Sequence, residues 1–139
     1  MSNVEITSNK DAVMRKVMEN MKKAAKAIGG IAESHAKEYC PVDTGLLRNS
    51  ITYALGGETP SRTLYYDNAM ENMGQYDGQA PDDTDNQVTV YTGTNVKYGI
   101  FQELGAPSIN LPAQPFIRPA MENHMSEYQQ AIRMYAGSI

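Results

Sequence analysis

The chain has 139 residues, 41% of them hydrophobic and 20% charged, which suits one folded domain that buries roughly two-thirds of its unfolded surface. A formal charge of −4 and a pI near 5.1 exclude an overall basic footprint for nucleic acid. The single cysteine, Cys40, excludes an internal disulfide framework and any multi-cysteine zinc site, and no apolar run reaches the ~20 residues of a membrane span.

The N-terminus Met1-Ser2-Asn3-Val4-Glu5 lacks the basic and apolar regions of a signal peptide, so folding in a reducing cytoplasm is expected. From about Ser8 to Tyr39 the spacing predicts a helix. Val13, Met14, Val17, Met18, Met21, Ala24, Ala25, Ile28, Ile31 and Ala32 fall on one stripe. Ser8 or Asn9 can cap its start, and Asp11 complements the dipole in the first turn. Gly29-Gly30 costs about 2 kcal/mol of helix propensity relative to alanine, which predicts a kink or two shorter helices. Pro41 ends the run, because the residue before proline disfavours the helical conformation.

Two alternating runs then read as strands, Ser50-Ile51-Thr52-Tyr53-Ala54-Leu55 and Gln87-Val88-Thr89-Val90-Tyr91-Thr92. Arg62-Thr63-Leu64-Tyr65-Tyr66 is a weaker third. Between them, Gly56 to Asn86 carries seven acids (Glu58, Asp67, Glu71, Asp77, Asp82, Asp83, Asp85) against one base, Arg62, a local charge of −6. Such a stretch reads as an exposed loop or extended hairpin inserted in the domain. Tyr98 to Leu104 fits one or two helical turns ended by Gly105. Ala106 to Pro119, with four prolines, reads as extended. A last helix is expected from Ile117 or Arg118 to Tyr135, with Met121, Met125, Tyr128, Ile132 and Tyr135 as its apolar stripe and Gly137 as its stop. This order predicts an α+β fold in which a long N-terminal helix and a C-terminal helix pack on a small antiparallel sheet, all within a single domain spanning residues 1–139.

Candidate chemistry is sparse. His35 lies five residues before Cys40, but Pro41 places Cys40 at the helix end, where the two side chains need not face each other; a packed cysteine and a helix-surface histidine are the expectation. The carboxylates of Asp77, Asp82, Asp83 and Asp85 could hold a hard cation. They lack the EF-hand loop pattern, and read as a solvated loop or a docking patch for a basic partner. Lys10, Arg15, Lys16, Lys22, Lys23 and Lys26 outnumber Asp11 and Glu19 for a local charge of +4. That run reads as the polar face of the amphipathic helix, with phosphate contact as the competing reading. No phosphate-binding loop, dinucleotide turn, His-Glu-x-x-His helix or nucleophile elbow is present. No enzyme activity, catalytic residue, cofactor or metal is expected.

The most specific string is Cys40-Pro41-Val42-Asp43-Thr44-Gly45-Leu46-Leu47-Arg48-Asn49-Ser50-Ile51. Asp43 and Thr44 can bond nearby backbone, and Gly45 permits a tight turn into the strand. The string resembles the Pro-Val-Asp-Thr-Gly-x-Leu-Arg-x-Ser-Ile motif of the small neck and tail-completion proteins of long-tailed bacteriophages and prophages. Tyr98-Gly99-Ile100-Phe101-Gln102-Glu103-Leu104-Gly105 and Pro112-Ala113-Gln114-Pro115-Phe116-Ile117-Arg118-Pro119-Ala120 are similar to two further blocks of that family, in the same order. Gly99 and Ala106 stand where the family often has alanine and threonine, and the acidic stretch is longer than the usual connection.

The resemblance implies a virion structural protein, made in the host bacterial cytoplasm, that forms a ring at the head–tail junction, commonly six-fold. Its partners would be copies of itself, head-completion or connector proteins, and tail-tube or tail-terminator proteins. DNA would pass through the lumen without specific binding, and the acidic stretch could line it. A tail-terminator ring is the alternative, and a small nucleic-acid-binding module a remoter one. The structural and interface residues carried over are Pro41, Asp43, Thr44, Gly45, Leu47, Arg48, Ser50, Ile51, Tyr98, Glu103, Gly105, Pro115, Phe116, Arg118, Pro119 and Ala120. Glu103 and Arg118 would form a buried or interfacial pair, or anchor the backbone of the Pro-rich segment. The abundance of tyrosine and methionine, nine of each, fits interfaces, where both are enriched.

Overall fold

A computed structural model describes residues 9–137; Ser8, one of the two expected caps, lies outside them. Helix α1 runs unbroken from Lys10 to Tyr39, with Asn9 at the cap position but no side-chain cap bond. The two-helix alternative for Gly29-Gly30 therefore falls. Gly29 is buried because the ring of Tyr53 lies across it: a Cβ there would stand 2.4 Å from Tyr53 Cδ2. The glycine buys close approach between helix and strand. Gly29→Ala would gain about 1 kcal/mol of helix propensity, yet it should destabilise by about 1–3 kcal/mol in urea denaturation, because overpacking against the root of a ring outweighs that gain. The rest of the inward stripe is also small or polar: Asn20, Ala24, Ala25, Ala32 and Ala36 are buried. Val13 and Met14, expected inside, are exposed. At the far end Cys40 is extended (φ −72°, ψ 126°), as a residue before proline prefers.

Strand β1 spans Thr52–Leu55, β2 Leu64–Tyr66, β3 Met73–Gln75 and β4 Val90–Gly93. They form two separate antiparallel pairs instead of one sheet. In the first, β1 pairs with β4, from Thr52 opposite Gly93 to Leu55 opposite Val90; in the second, β2 pairs with β3, from Leu64 opposite Gln75 to Tyr66 opposite Met73. The acidic stretch thus contains a hairpin. Helix α1 packs against β1 and β4 and against the two C-terminal helices, α4 (Ile117–Glu122) and α5 (Met125–Ala136). The α+β reading stands: a long N-terminal helix and C-terminal helices on small antiparallel sheets.

Four local expectations need correction. Leu46–Ser50 is a one-turn helix, α2, so the strand expected from Ser50 starts only at Thr52. Leu47, Ser50 and Ile51, three and four residues apart, are buried together by that turn, and the Ser50 hydroxyl returns to the Leu47 carbonyl. The strand expected from Gln87 begins at Val90, because Thr84–Gln87 forms a turn, with Gln87 N donating to the Thr84 carbonyl (3.3 Å) and Asn86 left-handed (φ +60°). The Pro-rich segment is not wholly extended, since Pro107–Ile109 makes a 3-10 turn closed by the bridge between Ala106 and Leu111.

The expected last helix is broken at Asn123-His124. In a continuous helix the Ala120 carbonyl would accept from the His124 amide; instead the Tyr128 hydroxyl donates to it at 2.5 Å. The break turns the face that α5 buries. Tyr128 and Ala131 are buried, whereas Met121, Met125 and Ile132 of the expected stripe are exposed.

Candidate functional site

The three sequence blocks converge. Helix α3, Gly99–Leu104, ends at Gly105 (φ +79°) as expected. Leu47 and Ile51 from the first block and Phe116 and Ala120 from the third form one buried cluster with Ala36 and Cys40 of the α1 terminus. Gly99 of the second block closes on it, next to Leu47 and Thr94. Pro41, Asp43, Gly45, Leu47, Tyr98 and Gln102 line a hollow beside the cluster. Burial raises the Tyr98 phenol above its usual pKa, against a smaller opposing pull from its bond to the Leu47 backbone. Burial pushes the Cys40 thiol up to about 11, against a smaller opposing pull from Arg48. A thiol so protonated is a poor nucleophile, and Cys40 faces the Pro41 carbonyl at 3.4 Å.

Glu103 is the polar hub of the convergence. Its Oε1 accepts from the amides of Ile117 (2.7 Å) and Phe116 (3.2 Å), and its Oε2 from the amide of Arg118 (3.4 Å). These are unsatisfied donors at the start of α4, so the carboxylate caps that helix from another element. The Arg118 side chain is exposed, as is Pro115, while Pro119 sits half-buried in the first turn of α4. Gln114 N donates to the Gln102 carbonyl at 2.7 Å, a second tie between α3 and the Pro-rich segment.

The first block also fastens the acidic hairpin. Gly45 takes φ +86°, and the Asn68 side chain lies where its Cβ would be, so any other residue would be strained and crowded. Thr44 O accepts from Asn68 N (2.8 Å), Arg48 Nη2 donates to Asn68 Oδ1 (3.0 Å), and Asn49 Nδ2 donates to the Tyr66 carbonyl (2.8 Å). The Thr44 hydroxyl accepts from Leu46 N, while Asp43 is exposed. On the other side Tyr76 donates to the Ser50 carbonyl (2.6 Å), and Asn95 Nδ2 donates to the Gln75 carbonyl (2.8 Å).

The hairpin's acids are not equivalent. Asp67 is buried: Oδ1 accepts from Glu71 N and Oδ2 from Asn72 Nδ2, each at 2.9 Å. The Asn72 bond, with the backbone donors behind it, holds the Asp67 carboxyl below its usual pKa against the opposing effect of burial. A lowered carboxyl contributes stability above its unfolded pKa of about 3.9 and loses it as pH falls through the folded value. Asp67→Asn should therefore flatten the acid limb of the stability curve below about pH 4, measured by urea denaturation at each pH. Glu58, Glu71, Asp77, Asp82 and Asp85 are exposed. Among the described residues the acidic aspartates form no group of three metal-reaching ligands.

Sequence spacing missed one constellation. His35 on α1 and His124 before α5 stack face to face, with centroids 3.4 Å apart and planes at 9°. His35 Nε2 donates to Glu127 Oε2 at 2.6 Å, and Tyr39 Oη lies 3.0 Å from His124 Nε2. Burial pulls the His35 pKa down, but its bonds to Glu127 and Glu38 outweigh that and leave it raised. The bond to His35 in turn lowers Glu127. His35 thus turns toward α5 and makes its bonds there and with Glu38, not with Cys40.

A family model described as "Bacteriophage HK97-gp10, putative tail-component" matches residues 5–105. The chain belongs to this family of phage tail components. No curated protein and no solved structure matches it. The match takes in α1, both hairpin strands and the first two blocks; the third block, which completes the buried cluster through Phe116 and Ala120, lies beyond it. Membership gives the protein a structural role in a phage, in company with other virion proteins. Among the described residues no helix is long and apolar enough to cross a membrane.

Proposed function

We propose that this tail component is a ring subunit of the neck, or tail-completion assembly, joining head to tail. The observation that carries the reading is the outer face of the convergence. Ile100, Phe101 and Leu104 on α3 are 51–65% exposed, and Ile109 after it is 72% exposed. Large apolar side chains gathered on a short segment mark a surface that a partner covers. A closed ring needs two different, complementary surfaces on each subunit. The apolar α3 face supplies one. The acidic hairpin and the basic face of α1, where Lys10, Arg15, Lys16, Lys22, Lys23 and Lys26 are all exposed, supply charge of both signs to set register. Nine of the sixteen motif residues hold these surfaces in place: Leu47, Ile51, Phe116 and Ala120 through the core, Glu103 and Gly105 through the Pro-rich segment, and Thr44, Gly45 and Arg48 through the hairpin.

Immunogold labelling of purified particles with antibody to this protein tests the reading. Gold at the head–tail junction is the expected result. Label confined to the exposed ends of headless tails would assign a tail terminator instead. Absence from particles by both labelling and mass spectrometry would overturn the virion role.

A further inference from the structure

We propose that His35, His124 and Glu127 form a binding site for one divalent transition-metal ion of the zinc class, which ties α5 to α1. This goes beyond the virion role and does not depend on it. The three side chains each offer a ligand atom, and those atoms lie within 4.8 Å of one another. His35 Nε2 stands 2.6 Å and His124 Nδ1 3.7 Å from Glu127 Oε2. Donors around a tetrahedral zinc at about 2.0 Å stand about 3.3 Å apart, so the two distances bracket what an ion requires. Two imidazoles and one carboxylate make a donor set suited to zinc and its neighbours, and poorly suited to calcium or magnesium.

The second nitrogen of each ring is also provided for. With Nε2 of His35 on the ion, Nδ1 carries the proton and faces Glu38 Oε2 at 3.4 Å. With Nδ1 of His124 on the ion, Nε2 carries the proton and faces the Tyr39 hydroxyl at 3.0 Å. Such outer partners fix ring orientation and raise ligand basicity in metal sites. The access route is an open groove between α1 and α5, lined by Gly30, Ser34, His35, Glu127 and Gln130. His35, His124 and Glu127 are partly exposed, so the cluster can be reached from solvent. The stacked rings hold their nitrogens in parallel planes, and loading requires one imidazole to turn about its Cβ–Cγ bond. Without an ion, the His35 proton bridges to Glu127 in its place.

The test uses the full, untagged chain, stripped with chelator and titrated with zinc by calorimetry and with cobalt(II) by visible absorption. Uptake of one ion per chain, with cobalt bands of nitrogen and oxygen ligation, is expected. His35→Gln and His124→Gln should each weaken uptake more than about tenfold, while Cys40→Ser leaves it unchanged. In the wild-type protein zinc should shift the ring-proton NMR signals of both histidines, a readout that needs no variant. No stoichiometric uptake by the folded chain, uptake that survives both histidine substitutions, or unmoved ring signals would overturn the site.

Discussion

Phe116→Ala should destabilise the protein by about 3–5 kcal/mol, the upper range for truncating a buried aromatic. Phe116 is 1% exposed and sits where the α1 terminus, α2 and α4 meet. Its buried companions include Ala36 and Ala120, which have no side-chain length with which to fill the space left behind. The cavity would therefore persist, and the cost would exceed the transfer term alone. Phe116→Leu, which keeps most of the volume, should cost less than half as much. Guanidinium denaturation of the wild type and both variants decides the point, with an unchanged slope showing that only stability has moved. If Phe116→Ala costs under about 1 kcal/mol, the cluster is not the core that its burial implies.

Glu103→Ala ranks second, with an expected loss of about 2–3 kcal/mol. Three amide donors converge on this carboxylate, and hydrogen bonds to a charged acceptor contribute more than neutral ones. The contributions do not add in full, because the Arg118 bond is long and that residue is exposed, so water can replace it there. Ile117 N, at 2.7 Å on a half-buried residue, loses most. Glu103→Gln retains one good acceptor without the charge and should lose about 1 kcal/mol. Amide hydrogen exchange supplies the local check: the Ile117 amide should lose protection in Glu103→Ala well before the amides in the middle of α1 do.

Local physics made much of this fold legible in advance. The end of α1 follows from Pro41, the end of α3 from Gly105, and the order of helix and strand from two unmistakable periodicities. The errors lie where tertiary contact overrides local preference. Gly29-Gly30 looks like a break until Tyr53 is laid across the first glycine. Leu46–Ser50 looks like the lead-in to a strand, yet burying Leu47 with Ser50 and Ile51 favours one helical turn. Asn123-His124 carries no proline or glycine, and the break there depends on a tyrosine hydroxyl reaching back to Ala120. The Glu103 anchor was half legible: its residue type and its block were apparent, whereas the amides it meets come from beyond a run of prolines. The His35–His124 pair was not legible at all, because one histidine lies on each side of the strands and no spacing rule joins them.

None of the first ten residues of α1 is fully buried; burial begins at Asn20. In helix–coil terms these turns are propagation without nucleation. The packed portion beyond Asn20 supplies the costly nucleus, and each residue before it adds one hydrogen bond against its own backbone entropy, a balance near zero. Lysine, arginine, methionine and glutamate, which fill much of Lys10–Glu19, tilt that balance toward helix. The length of this end of the helix is thus a graded property of local sequence, adjustable one residue at a time while the core stays as it is.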